Sequence, residues 1–307
     1  MKSVCLAILN YNGKKHLEHL LPTACAAAEK YPGTCSVVIL DNQSTDDDVG
    51  WIRREFPSVE TVLAPKNDFL FSYNWLAQKR TEDILVLLNN DLKVDHDFLS
   101  PLVRHFESPD VFSVSARSYD WNRAEVTSGP ARLHFEHGFY NWNFDTKHQK
   151  ACHTLFTSGG FMAVDRNKFL ELGGFNQLFA PAYCEDVDLC FRAWRRGWRC
   201  IYEPDSIVWH RHQGTWSSHS TNSLSSLELR NLLLMQWSTF PMHEQRWARL
   251  RSLVKLFLGS LLLGDRAWIK TYPVTFLYWL AVRRRYLWMK VRDRELRQIL
   301  SRIEKEC

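Results

Sequence analysis

Several things are missing from this 307-residue chain, and each absence excludes a class of protein. None of its eight cysteines stands in a Cys-x-x-Cys pair. Cys5, Cys25, Cys35, Cys152, Cys184, Cys190, Cys200 and Cys307 lie scattered, mostly in apolar runs where buried thiols belong. A reducing, cytoplasmic setting is therefore expected. The longest apolar run near the C-terminus, Leu256 to Gly264, is too short to span a bilayer. Met1-Lys2-Ser3 runs directly into the strand-like Val4–Leu9, so no signal peptide is expected. The turn after that strand, Asn10-Tyr11-Asn12-Gly13, lacks the Gly-x-Gly-x-x-Gly that close approach to a dinucleotide pyrophosphate requires. This speaks against a nicotinamide oxidoreductase. No internal repeat or low-complexity segment is present.

What is there describes a folded protein. At 45% hydrophobic and 24% charged residues, the chain can bury a full core. Its 13 Trp, 10 Tyr and 18 Phe suit a ligand cleft as well as a core. The net charge of +5 is unevenly placed. Residues 245–307 hold fifteen Lys and Arg against five Asp and Glu, leaving the remainder acidic. An anionic partner is therefore expected for the tail alone, and the acidic body does not look like a nucleic-acid binder. We divide the chain into a domain over 1–220 and a basic helical extension over 221–307.

The first hundred residues alternate. Strand-like runs at Val4–Leu9, Ser36–Leu40, Val59–Ala64 and Ile84–Leu88 are separated by helix-like stretches around Lys14–Lys30, Asp46–Glu55 and Ser72–Lys79, with another at Asp97–Glu107. Continuous Val/Ile/Leu runs are typical of buried parallel strands, so a doubly wound, mostly parallel α/β sheet of Rossmann-like kind is predicted. Ligands of such sheets bind beyond the carboxyl ends of the strands. Those ends are polar here: Asn10-Tyr11-Asn12-Gly13, Asp41-Asn42-Gln43-Ser44-Thr45-Asp46 and Asn89-Asn90-Asp91. Residues 117–151 lose the alternation and read as an irregular excursion over the site. Trp198–Tyr202 and Ser206–Trp209 read as edge strands, followed by His210-Arg211-His212. Beyond Thr221 the pattern is helical at Leu224–Phe240, Gln245–Leu263 and Ala267–Leu300.

One segment concentrates charge. Glu185, Asp186 and Asp188 fall within four residues, just where Val187, Cys190, Phe191 and Trp194 begin a helical spacing. Carboxylates at a helix N-terminus are favoured by the dipole and stay within reach of solvent. A capped helix with an Asp188–Arg192 pair would produce the same pattern.

In their order, these motifs resemble the inverting glycosyltransferase family 2 with the GT-A fold, and in particular its bacterial rhamnosyltransferase-like branch. The resemblance covers roughly the first 215 residues. It is carried by Leu9-Asn10-Tyr11-Asn12-Gly13, Asp41 to Asp46, Asn67-Asp68-Phe69 through Asn74, Leu88-Asn89-Asn90-Asp91, Ser158-Gly159-Gly160-Phe161, Gly173-Gly174-Phe175 and Glu185-Asp186-Val187-Asp188. Two positions depart from the family pattern. Asn89 replaces the first acid of the Asp-x-Asp metal motif, and Phe69-Leu70-Phe71-Ser72-Tyr73 occupies a place where small residues are usual.

The resemblance implies a nucleotide-diphosphate sugar donor bound by Asn10, Tyr11, Asp41, Asn67, Asn74, Asn89 and Asn90. It also implies backbone contact with the donor sugar at Gly159 and Gly160. A divalent cation, Mg2+ or Mn2+, would be held by Asp91 and His210. Asp186 would be the general base, with Glu185 as the alternative. Asp41 could equally close its strand as an Asx-turn, and Asp91 could cap a helix. The implied acceptor is a glycan or lipid-linked glycan. In the tail, Arg283-Arg284-Arg285, Lys290, Arg292, Arg294 and Arg297 interleave with Tyr286, Leu287, Trp288 and Met289. That pattern fits attachment to an anionic membrane surface, the inner face of the plasma membrane for a cytoplasmic protein, or a solvated basic helix face. A non-catalytic glycan- or nucleotide-binding relative of the same fold is the main alternative.

Overall fold

The first strand, β1 (Val4–Asn10), is buried on both faces, and its side chains divide between two cores. Val4, Leu6 and Ile8 join one cluster, and Cys5 and Ala7 the other. A strand covered on both sides must lie inside a layered α/β sheet, and it does. In the computed structural model the chain is described over residues 1–123, 125–136, 139–211, 226–240, 246–263, 266–290 and 292–304. The expected domain boundary near residue 220 and the second histidine of the His-Arg-His run, His212, lie outside the described residues.

After β1 come α1 (Lys14–Lys30), β2 (Cys35–Asp41), α2 (Asp48–Glu55), β3 (Glu60–Leu63), α3 (Ser72–Lys79) and β4 (Ile84–Asn89). Helix α1 buries Leu17, Leu20, Leu21, Ala24 and Ala27, one helical stripe, against the first cluster. Each fully buried Leu contributes about 1.5–3 kcal/mol of transfer free energy. β3, β2, β1 and β4 run parallel in that order. Register pairs Asn10 with Asp41 and Leu9 with Asn89, so the three polar strand exits finish at one level.

The second half departs from the expectation of a mostly parallel sheet. It contains β5 (Leu92–Val94), α4 (Leu99–Val103), β6 (Val111–Asp120), β7 (Ala131–Glu136), β8 (Phe139–Phe144), β9 (Cys152–His153), β10 (Phe161–Asp165), α5 (Arg166–Glu171), α6 (Glu185–Arg195) and β11 (Arg199–His210). β10 lies antiparallel between β4 and β6, β11 runs parallel to β6, and both β5 and β9 pair antiparallel with β11. The two expected edge strands are the single strand β11, with neighbours on both sides. A register shift between Glu203 and Ile207 takes up Pro204 and Asp205. The excursion over 117–151 is likewise partly regular: β6 continues to Asp120, and β7 and β8 form a hairpin whose Leu133, Phe135 and Trp142 pack on the second core.

Among the described residues four helices follow: α7 (Ser226–Ser238), α8 (Arg246–Leu263), α9 (Arg266–Val282) and α10 (Asp293–Glu304). The single helix expected over 267–300 is broken by a 3-10 stretch, Arg283–Met289, in which Tyr286 leaves helical geometry. Helix α7 is not a detached appendage. Gln236 both accepts from the Tyr140 N–H and donates to the Tyr140 carbonyl (3.0 and 2.7 Å), pinning the hairpin.

Candidate active site

The three strand exits are tied together by one buried carboxylate. Asp48, at the start of α2, accepts from the Gly13 N–H (2.6 Å) and from Asn10 Nδ2 (2.9 Å) through the same oxygen. Asn10 Oδ1 accepts in turn from Asn90 Nδ2 (2.9 Å). Gly13 leaves room for this pair, since a Cβ there would sit 2.0 Å from Asn90 Nδ2 and 2.4 Å from Asn10 Oδ1 and displace them. Asp48 was not singled out in the sequence, where an acid in the first turn of a helix reads as a dipole partner. Its position opposite Gly13 is a tertiary fact.

Around this hub, Tyr11 is exposed, and Asn12 bridges to the next exit through the Thr45 N–H (2.8 Å) and hydroxyl. Asp41 is buried, with both oxygens engaged by Ser44, one by its hydroxyl and one by its N–H (3.1 Å). The turn-closing arrangement is therefore present, and each oxygen keeps a further lone pair. Asn67 forms its own turn by accepting from the Phe69 N–H (3.2 Å).

The aromatic segment after Asn67 fills the core. Phe71 and Tyr73 are buried, and the Tyr73 hydroxyl lies against the carbonyls of Ala7 (3.1 Å) and Leu88 (2.8 Å). Asn74 is committed elsewhere: its amide receives the Phe175 N–H (2.7 Å) and donates to the Phe175 carbonyl (2.8 Å). It clamps the Gly173-Gly174-Phe175 turn. Gly174, at φ +69°, has no room for a Cβ beside it.

Gly159 and Gly160 join the β4 exit to the carboxylate helix. The Asn89 N–H donates to the Gly160 carbonyl (2.8 Å), and a Cβ on Gly160 would meet Asn89 Nδ2 at 2.8 Å. The Gly159 N–H donates to Asp186 Oδ2 (3.1 Å), while Asp186 Oδ1 accepts from the Val187 N–H (2.8 Å). Asp186 stays partly exposed, whereas Glu185 is buried and its Oε2 has no hydrogen-bond partner. Burial, reinforced by the charge of Asp186 and then of Asp188, pushes the Glu185 carboxyl up to about 8. Burial also raises Asp186, against the backbone N–H groups that hold its charged form. Asp188 is a structural residue: it pairs with Arg192 (2.8 Å), whose guanidinium also donates to the carbonyls of Leu172 (2.7 Å) and Gly174 (2.8 Å).

The backbone leading into α6 is strained, with Tyr183 at φ +75° and Cys184 at φ +68°. It is held from α7. The buried Asn231 donates to the carbonyls of Phe179 (2.6 Å), Ala182 (2.6 Å) and Tyr183 (3.1 Å), and Arg230 donates to that of Ala180 (2.9 Å). Sequence reasoning missed Asn231 because its partners lie some fifty positions away in the chain.

Beyond the β4 exit, Asp91 is buried with Oδ1 lacking a hydrogen-bond partner, and its Oδ2 lies 3.4 Å from His210 Nε2. An orphaned carboxylate oxygen beside an imidazole is a fitting donor set for a divalent cation. Among the described residues no group of three or more His, Cys, Asp or Glu could hold a metal, so these two would be the protein's share. Cations and aromatic rings crowd next to this pair. Lys93 lies over Trp121 (4.4 Å) and Trp209 (5.4 Å), and Arg211 over Trp121 (5.4 Å).

A half-parallel sheet with polar strand exits at one level, a metal-fitting Asp–His pair and a carboxylate helix define the GT-A class of glycosyltransferases. The fold matches a crystal structure of GalNAc-T7 with UDP, GalNAc and Mn2+ at a TM-score of 0.62, with 16% identity, covering 80% of this chain and 49% of that one. It also matches the mannosyltransferase PcManGT from Pyrobaculum calidifontis in complex with GDP-Man and Mn2+, at a TM-score of 0.53 and 16% identity over 94% of this chain and 84% of that one. Polypeptide N-acetylgalactosaminyltransferase 10 of Homo sapiens is 27% identical over 172 residues, half of this chain but only 28% of that relative's length. The model of the glycosyl transferase family group 2 matches residues 84–290, and the chain belongs to that family.

Proposed function

We propose that the chain is an inverting glycosyltransferase of the rhamnosyltransferase-like branch, moving a sugar from a dTDP- or UDP-sugar to a hydroxyl of a glycan or lipid-linked acceptor in cell-surface polysaccharide synthesis. The observation that carries this is the Gly159 N–H to Asp186 Oδ2 contact of 3.1 Å, which fixes a partly exposed carboxylate beside the segment expected to border the donor sugar. Residues 1–220 form the transferase domain in this reading, with 221–307 as its basic extension in contact with an anionic membrane surface. We read the compartment as the cytoplasm, at the inner face of the plasma membrane. Among the described residues no helix is long and apolar enough to cross a membrane.

In the proposed reaction the acceptor hydroxyl attacks the anomeric carbon from the face opposite the nucleoside diphosphate. The bond to the diphosphate oxygen breaks as the new glycosidic bond forms, and the acceptor proton passes to Asp186. Asp186 suits this role better than Glu185, since it is reachable and already oriented by two N–H groups. Glu185, buried and with its carboxyl pushed up to about 8, is the alternative base. Asp91 and His210 would hold the divalent cation, which neutralises charge on the departing diphosphate when bound. Tyr11, Asp41, Asn67 and Asn89 border the nucleotide. Asn10 and Asn90 hold the exits in register through Asp48 and serve the nucleotide indirectly.

A thermal-shift panel of UDP, dTDP, GDP and NAD, with and without Mn2+, tests the donor class. A ligand that binds the native state alone raises its stability by mass action. Metal-dependent stabilisation by UDP or dTDP is expected. Stabilisation by NAD would favour an oxidoreductase, and by none of the four a non-catalytic relative. Asp91→Ala should abolish the metal dependence of that shift. Asp186→Asn should reduce transfer by about 10²–10⁴-fold, the usual contribution of a general base, with the nucleotide shift intact. Wild-type turnover in that variant, or retention of anomeric configuration in the product by NMR, would sink the single-base mechanism.

A further inference from the structure

Helix α8 carries two adjacent rows of side chains, each spaced four residues apart, on the side away from the protein. One row is Leu250, Val254, Leu258 and Leu262; the other is Trp247, Arg251 and Lys255. All seven side chains are exposed, the apolar ones from Val254 at 49% to Leu262 at 88%. On the opposite side Leu253 packs against a small cluster with Leu229, Leu233 and Trp237 of α7. Scattered surface leucines need no explanation, but an exposed apolar row running over about three turns does. Helix α9 repeats the pattern, with Val274, Leu277 and Tyr278 exposed.

The charge around these rows selects the occupant. Between residues 246 and 292, eleven Lys and Arg accompany a single acid, Asp265. Arg283, Arg284 and Arg285 are exposed directly after α9, next to exposed Leu287 and Trp288. Leu287 and Trp288 rim a groove of about 510 Å³ in which the cations Arg195, Lys290, Arg292 and Arg294 accompany one acid, Glu295. A second copy docking through the same face would bring cations against cations. An anionic bilayer offers the complement to both features at once, phosphates for the cations and acyl chains for the leucines.

We propose that α8 lies in the headgroup region of an anionic bilayer. The Leu250–Leu262 row is immersed, while Arg251 and Lys255 extend their stems along it to lipid phosphates. This deepens the proposed function, because it names the face that would hold the enzyme beside a membrane-borne acceptor. Its test is independent of transfer.

The full chain is sedimented with phosphatidylcholine vesicles, with and without phosphatidylglycerol. Wild type should bind the anionic vesicles roughly tenfold more tightly, and salt should weaken the binding. The double variants Leu258→Glu/Leu262→Glu and Arg251→Glu/Lys255→Glu should each lose roughly tenfold or more, with unchanged circular dichroism and nucleotide response. Binding of either double variant at the wild-type level would overturn the proposal. So would indifference to phosphatidylglycerol, or a dimer in sedimentation velocity that Leu258→Glu/Leu262→Glu splits while vesicles go unbound. Vesicle binding without any nucleotide response would instead remove the transferase reading and leave this one standing.

Discussion

Glu185 and Asp186 are neighbours in sequence with opposite surroundings, and the difference can be measured. Glu185 is buried with an unpartnered oxygen, and its carboxyl is pushed up to about 8 from an ordinary 4.5. Between those values the native state holds a proton that the unfolded chain has released. This contribution to stability is therefore full below about 4.5 and is lost as pH rises through about 8, at up to about 1.4 kcal/mol per pH unit. Glu185→Gln removes the loss. Its melting temperature relative to wild type should climb from pH 5 to pH 8 and then level, and a pH-independent difference would mean that Glu185 is ionised in the fold. At this scale residues that the sequence places in separate motifs lie together, Asp91 beside His210 and Gly159 beside Asp186. The sequence could not reveal which polar side chains are taken by backbone. Asn74 belongs to the Phe175 turn, and Asp48, in an unremarked first turn, organises three loops.

Elements were legible where their signal is local. The runs feeding β1 to β4 are continuous and apolar, and their boundaries match the sequence pattern within a residue or two. β11 reads in the sequence as two edge strands, Trp198–Tyr202 and Ser206–Trp209, and only pairing with β6 shows that the chain continues between them. The β7–β8 hairpin was hidden for a similar reason, since its apolar face is completed by a distant core and its backbone by Gln236 of α7. Helix α7 also supplies the clearest prediction at this scale. Asn231→Ala strips donors from three carbonyls of the segment before α6, which should cost about 2–4 kcal/mol. Asn231→Asp should be worse, because it turns a carboxylate toward those carbonyls. Under the proposed function, kcat should fall in Asn231→Ala with nucleotide affinity nearly unchanged. Equal losses in both would mean that the helix supports the fold alone.

Across the whole molecule, the acidic body and the basic extension were separable by counting charges, but their mechanical relation was not. Helix α7 reaches both ways. Through Asn231 it grips the strained segment ahead of the carboxylates, and through Trp237 it stacks edge-on against Tyr272 and Phe276 of α9. A lipid surface that orders α8 and α9 would thus settle a helix whose other side holds Tyr183 and Cys184 in left-handed geometry. The consequence is thermodynamic and runs in both directions. If anionic vesicles tighten donor-nucleotide binding by some factor, saturating nucleotide must tighten vesicle binding by the same factor. Titrating each ligand in the presence of the other measures that factor twice. Equal values above one would make α7 a linkage between membrane and catalytic cleft, and a factor of one would leave two sites that share a chain and nothing more.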